Sequence, residues 1–433
     1  MTSTRRSFLK TSALAAGAAA LVAPELIAQR GGGAPTGPLP ESITALKSMR
    51  DLAKPITPEE RMDRIENARK LMWANKLDAF MLMGGTSMDY FCGVRWGQSE
   101  RMFALIIPSS YKTKAAPFFV CPKFEEDRAM ELISKSPLAK VKVLTWEEDE
   151  SPWQRIKQGL ADSGVSSGTI GIEETVRFVF SDNLAKEASG IHIASGTPIS
   201  AGCRMHKSPA EFELLTLANK VTWTAYKAAY AALREGMTQY EFGSLVSAAH
   251  SRLGFPGGCS TQVGEYSALP HGSIQPQVIK EGTIILIDGG CSVEGYQSDI
   301  SRTFVLGKPT EKMLKVFEIE HRAQSAALAA AKPGVAAGSV DAAARKVIVD
   351  AGYGPGYKYF GHRVGHGIGM DGHEWPYLVK DNPLKLEPGM CFSDEPGVYI
   401  RGEFGVRLED CMHITETGAE LFTPQSESLE KPF

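Results

Sequence analysis

Two pairs of carboxylates, each pair spread across its own candidate hairpin, restrict this chain more than any other feature. The first lies in IILIDGGCSVEGYQSDISRT, Ile284 to Thr303, where an apolar run delivers Asp288 and a Glu294-Gly295 turn signal precedes Asp299. With the turn centred on Glu294-Gly295, Asp288 opposes Ser301 and Asp299 opposes Gly290, so both acids share one face as diagonal neighbours. Centring one residue earlier sets the two acids directly opposite each other. A three-residue loop splits them across the sheet unless a bulge intervenes. Like charges on one sheet face repel, so folding alone gives little reason for the pairing, whereas a divalent cation between them does.

The second pair follows the Pro388-Gly389 turn. Met390 to Ile400 reads as a strand holding Glu395, and Gly405 to Thr415 as the returning strand holding Glu409. A loop centred on Gly402 puts these acids opposite each other on one face. Between the hairpins, GHRVGHGIGMDGHE carries His362, His366 and His373 in a Gly-rich segment read as a loop. Glycine permits close backbone approach, and histidine ligates metals or moves protons. Their spacing is not that of two ligands on one helix face. Two acid-bearing hairpins plus histidine point to a two-metal site with oxygen and nitrogen ligands.

The rest of the chain supplies the frame. TRRSFLK followed by an Ala/Gly-rich run to about Ala23 has the form of a twin-arginine export signal, with cleavage after Ala28. The chain is thus expected to fold in the cytoplasm and to function in the periplasm or another exported location, without membrane insertion after signal removal. Removal of residues 1–28 takes away three of 47 basic and one of 50 acidic residues, leaving a formal charge of −5. That balance offers nothing to nucleic acid or anionic membrane. Seven scattered cysteines form no disulfide framework.

Residues 29–56 read as a marginally ordered linker. Residues 57–201, which open on the Thr57-Pro58-Glu59-Glu60 helix start, alternate strands with helices and form an α/β domain. Apolar strands are expected at Ala79–Met83, Met102–Ile107, Phe118–Cys121, Val141–Trp146 and Ile170–Ile172. Ser208-Pro209-Ala210-Glu211 opens a long helix of a second domain, residues 202–433, which holds all the candidate ligands.

These motifs resemble the creatinase/aminopeptidase P superfamily of pita-bread metallopeptidases, which includes Xaa-Pro aminopeptidases, Xaa-Pro dipeptidases and methionine aminopeptidases. The likeness covers about Glu59 to Leu421. It implies an α/β (α+β) chain, with a creatinase-like N-terminal domain followed by a pita-bread catalytic domain. It also implies two divalent metal ions, Mn²⁺ first and Co²⁺ or Zn²⁺ as alternatives, on Asp288, Asp299, His366, Glu395 and Glu409. Asp299 and Glu409 would bridge the ions. Glu395 would also carry a proton from the bridging water to the leaving nitrogen.

By the same resemblance His271, in LPHG, lies on the substrate side and His373 contacts the scissile carbonyl or the tetrahedral intermediate. His362 borders the leaving-side pocket, and Arg407, in VRLED, orients the carboxylates. The implied activity is hydrolysis of Xaa-Pro bonds in proline-containing peptides by a homodimer, as dipeptidase or aminopeptidase. The complete ligand set argues against creatinase and against metal-free relatives. Another hydrolase or lyase on this scaffold, and a silent peptide-binding module, are the competing readings.

Overall fold

The computed structural model describes residues 37–109 and 115–433. The twin-arginine segment and most of the Gly/Pro-rich stretch behind it lie outside the described residues. In the N-terminal half, β1 (Ala79–Met83), β2 (Ala104–Pro108), β3 (Phe118–Pro122), β4 (Lys142–Trp146), β5 (Gly168–Ile172) and β6 (Ile191–Ser195) form one mixed sheet in the order β4-β3-β2-β1-β5-β6. Strand β1 shows why its sequence is apolar throughout. Phe80 and Leu82 join the core beneath helix Pro58–Ala74, while Ala79, Met81 and Met83 join a second core with Ile156 and Leu160 of helix Pro152–Asp162. A strand covered by helices on both faces has no polar side to show. Helices Thr86–Cys92 and Phe178–Glu187 and strand β6 were not expected from the sequence.

The second half contains β7 (Gly257–Val263), β8 (Ile284–Val293), β9 (Tyr296–Gln297) and β10 (Ile300–Val305), with sheet order β10-β8-β7 and β9 paired to β8. It also contains β11 (Gly365–Gly367), β12 (Glu374–Leu378), β13 (Cys391–Asp394), β14 (Gly397–Ile400), β15 (Phe404–Arg407), β16 (Asp410–Ile414) and β17 (Ala419–Leu421). These form a five-stranded sheet, β12-β11-β13-β16-β17, and a separate β14-β15 ribbon. Helices Pro209–Tyr230 and Gln239–Leu253 share a core with β7 and β8. Helices Glu311–Ala330 and Ala337–Asp350 share another with residues of β13 to β16.

Helix caps follow the sequence with one exception. Ser208 and Glu211 make the full reciprocal capping box. Thr57 accepts from the Glu60 backbone N–H, but the Glu60 carboxylate does not return to the cap. It accepts instead from Ser208 Oγ at 2.6 Å and Arg64 Nη2 at 2.9 Å, tying the first helix to the start of the second half.

The expected linker also differs. Helix Glu41–Thr44 buries Ile43, Ser42 Oγ donates to the Ala228 carbonyl, and the Met49 N–H donates to the Leu253 carbonyl. Residues 41–52 are therefore strapped onto two helices of the second half, through backbone groups that no composition rule marks as anchors.

Candidate metal centre

The first hairpin has the register expected for a turn centred on Glu294-Gly295. Both turn residues have positive φ, 49° and 93°, and Ser301 pairs with Asp288. The ladder opens between Ser292↔Gln297 and Gly289↔Ile300. There a Cβ on Gly290 would overlap the Ser298 carbonyl, so only glycine fits. Asp299 leaves the ladder at this opening.

The second hairpin also keeps one register, with Cys391↔His413 and Asp394↔Asp410 on one side and Gly397↔Arg407 and Ile400↔Phe404 on the other. It is not the pair of continuous strands read from the sequence. Each strand is interrupted, at Glu395-Pro396 and at Leu408-Glu409, and the two pieces belong to different sheets. Pro396 has no N–H for the ladder. The Glu395 N–H turns to the Val364 carbonyl and the Glu409 N–H to the Ser301 carbonyl, so neither break leaves these donors unsatisfied.

These breaks bring together the residues singled out by sequence. Ligand atoms of Asp288, Asp299 and Glu409 lie within 4.8 Å of one another, as do those of His366, Glu395 and Glu409, and those of Asp299, His366 and His373. His366 sits on β11, a short strand where a loop was expected. Its Nδ1 donates to the Gly367 carbonyl at 3.1 Å, so Nε2, 3.2 Å from Glu395 Oε1, is the nitrogen that donates to that carboxylate when protonated and that would offer its lone pair to a cation in the neutral ring.

The donor set fits divalent cations. Burial, then repulsion from Asp299, Glu395 and Asp288, pushes the Glu409 carboxyl well above the usual range. Arg407 is the guanidinium bonded to the cluster, and one positive charge does not offset four carboxylates. Oxygen-rich donors with one imidazole suit hard divalent ions.

Arg407, 3% exposed, holds the cluster from behind. It donates to Asp288 Oδ2 at 3.0 Å, Ser301 Oγ at 2.9 Å, Tyr399 Oη at 3.1 Å and the Pro270 carbonyl at 3.0 Å. The last bond fixes the loop that presents exposed His271, which lies outside the three ligand groups. His362 Nδ1 donates to the Arg363 carbonyl at 2.8 Å, leaving Nε2 to accept from Tyr399 Oη at 2.7 Å. Burial lowers the His362 pKa against the pull of Glu395, which agrees with a neutral ring. For His366 burial also acts downward, but its hydrogen bond to Glu395 and the charges of Glu395 and Asp299 raise it. Burial alone would raise Glu395, yet His366, His362 and Arg407 hold it well below the usual carboxylate range. The exposed His373 ring stacks on His366, centroids 3.7 Å apart.

Sequence reasoning missed three contributors. Ser301 Oγ reaches Glu409 Oε2 at 2.7 Å and Asp288 Oδ1 at 3.1 Å. Ser393 Oγ donates to Glu395 Oε1 at 3.2 Å and accepts from the His366 N–H. Tyr399 links His362 to Arg407. All three stand an even number of residues from a ligand, at 299/301, 393/395 and 395/399, so strand alternation was the available signal.

A family model, creatinase/prolidase N-terminal domain, matches residues 64–206, and a second, metallopeptidase family M24, matches residues 213–416. The chain is 34% identical over 389 residues to the Xaa-Pro dipeptidase of Lactobacillus delbrueckii subsp. lactis, covering 85% of this chain and 98% of that one. It superposes on the dipeptidase PepE from Mycobacterium ulcerans with a TM-score of 0.80 and 30% identity, over 87% of this chain and 99% of that one. For the prolidase from Pyrococcus furiosus the TM-score is 0.68 and the identity 30%, over 82% and 99%. The α/β architecture, creatinase-like domain first and pita-bread domain second, is thus the expected one. The chain belongs to metallopeptidase family M24, with a creatinase/prolidase N-terminal domain ahead of the catalytic unit.

Proposed function

We propose that this chain is a dinuclear Xaa-Pro dipeptidase. The observation that carries the reading is the convergence of four carboxylates, three of them released at strand breaks, and an Nε2-presenting histidine, backed by Arg407. Asp288, Asp299, His366, Glu395 and Glu409 would hold two divalent cations, with Mn²⁺ the proposed pair. Bound there, such ions supply Lewis acidity and bring the pKa of water toward neutrality.

The chain's own groups perform the rest. Glu395, kept ionised by its basic neighbours, accepts a proton and passes it to the leaving proline nitrogen. Arg363 Nη2 donates to His373 Nδ1 at 3.3 Å, which leaves Nε2–H of the neutral ring to donate to the oxyanion that develops on the scissile carbonyl. Tyr399 and Arg407 hold His362 on the leaving side, and His271 faces the substrate. An Xaa-Pro bond carries no N–H, so such a site must accept the ring without a hydrogen bond from that nitrogen.

The test is to strip the protein with chelator, restore Mn²⁺, Co²⁺ or Zn²⁺ singly, and assay Xaa-Pro and Xaa-Ala dipeptides alongside bound metal. Two ions per chain and metal-restored cleavage of Xaa-Pro are expected. Full cleavage by stripped protein refutes the metal centre. Metal uptake without Xaa-Pro turnover favours the peptide-binding module or another chemistry on this scaffold.

A further inference from the structure

The turn that carries His373, residues 368–373 between β11 and β12, is held from outside the catalytic unit. Its two acidic flanks, Asp371 and Glu374, share one partner. Arg204 ends helix Thr197–Arg204 and lies within the stretch matched by the creatinase/prolidase N-terminal model. Its Nη2 donates to Glu374 Oε2 and, at 2.6 Å, to Asp371 Oδ2. The remaining oxygens are taken as well, Asp371 Oδ1 by Thr86 Oγ1 at 2.6 Å and Glu374 Oε1 by Lys207 Nζ at 2.6 Å. Burial alone would raise the Glu374 carboxyl, but Arg204 and then Lys207 hold it below its ordinary value. The same carboxylate fills the space that a Cβ on Gly369 would take, so the turn closes over it.

A buried ion cluster adds little net stability, because desolvation of its charges offsets most of their attraction. What it does supply is a fixed geometry, and here the fixed segment is the one that bears His373. The His373 ring is exposed, and both its stack on His366 and its bond to Arg363 require a backbone already in place. An oxyanion donor acts only within hydrogen-bond range of the atom where charge develops. A misplacement of about 1 Å can cost on the order of a hundredfold in rate.

Resting on the function proposed above, we infer that Arg204 is a positioning residue for the reaction: by clamping Asp371 and Glu374 it sets His373 against the scissile carbonyl. The creatinase-like domain is then part of the catalytic apparatus of its own chain. The experiment is a double-mutant cycle on the metal-loaded full-length protein with Ala-Pro as substrate. Arg204→Gln and Asp371→Asn are each made in wild type and in His373→Ala. In wild type, Arg204→Gln should lower kcat by about ten- to a hundredfold, with KM within about threefold and bound metal unchanged. In His373→Ala the same change should cost less than about twofold, because the donor that it positions is gone. Asp371→Asn is isosteric and its side chain is 39% exposed, so it should fold as wild type does. It should show the same pattern at about three- to tenfold, the worth of the lost charge assistance.

Equal fractional losses in the two backgrounds overturn the inference, because Arg204 then only supports the fold. So does an Arg204→Gln enzyme with the kcat of wild type. Where thermal melts show Arg204→Gln too unstable to assay, Asp371→Asn decides by the same two criteria. A wild type that leaves Ala-Pro uncleaved overturns the proposed function itself, and the inference with it.

Discussion

Ser301→Ala is the substitution that most directly tests how this centre is held together. The hydroxyl is fully buried between Arg407 and two carboxylates. It accepts from Arg407 Nε at 2.9 Å and has a single proton, which the 2.7 Å contact assigns to Glu409 Oε2 rather than to Asp288 Oδ1 at 3.1 Å. The change therefore removes two charge-assisted hydrogen bonds, each worth about 1.5–3 kcal/mol. Part of that loss falls on the metal-free and metal-bound forms alike, because Arg407 Nε loses its partner in both. The part that differs is the fixing of Glu409 against its acidic neighbours, about 2 kcal/mol, or ~30-fold in metal affinity. Competition against a metallochromic chelator reads this directly, with the thermal melt of the stripped protein as a check on folding. Mn²⁺ affinity should fall ~30-fold, and cleavage should return to within about threefold of wild type at saturating metal. Affinity within about threefold of wild type would mean that Ser301 merely fills space.

His373→Ala should lower kcat by about 10²–10³-fold with a smaller effect on KM and metal content near wild type. Lost metal with unchanged chemistry on reconstitution would make His373 a ligand, an alternative its place beside Asp299 and His366 keeps open. His250 is buried, donating from Nδ1 to the Val246 carbonyl and accepting at Nε2 from Thr222, and burial lowers its pKa from 6.5 to about 4. Below pH 6.5 the unfolded chain gains a proton that the folded one refuses, so stability should drop by about 3 kcal/mol between pH 6.5 and 4. Denaturant melts of wild type and His250→Gln should converge in acid dependence if another group is responsible. All seven cysteines are buried thiols, which export as an unfolded chain would expose to an oxidising compartment. Exchanging residues 1–28 for a signal that exports unfolded chains should therefore give mispaired disulfides and a different bound metal, and identical thiol counts and metals in both forms would remove the case for folded export.

The legible parts of this structure were those governed by local rules. The Glu294-Gly295 turn signal offered, as one of three registers, the one that sets Asp288 opposite Ser301, and counting about Gly402 set Glu395 opposite Glu409 in register. Capping residues marked the helix at Pro209. The illegible parts depend on contacts distant in sequence. Glu60 looks like a capping-box residue, but Ser208, distant in sequence, lies where it can claim the carboxylate together with the helix neighbour Arg64. Residues 41–52 look like a linker because their anchors are backbone carbonyls at 228 and 253, and every residue type has one.

The strand breaks sit between these extremes, and they are where fold and chemistry meet. A ligand carried on an unbroken ladder is held at the spacing of its strand, and its carboxylate points where the pleat points. Where the ladder opens, the chain is free to converge on a point, provided that each released N–H finds another carbonyl. Glu395 and Glu409 meet that condition through Val364 and Ser301, and the latter bond sets the Ser301 backbone beside the Glu409 carboxylate to which its hydroxyl donates. The same backbone redirection thus ends the sheet, closes the site and places its supporting hydroxyl. Period-two patterning carries through such a break unchanged, since the register on either side is continuous. That continuity let the pairing be read correctly while the interruption stayed hidden, with Pro396 its one written mark.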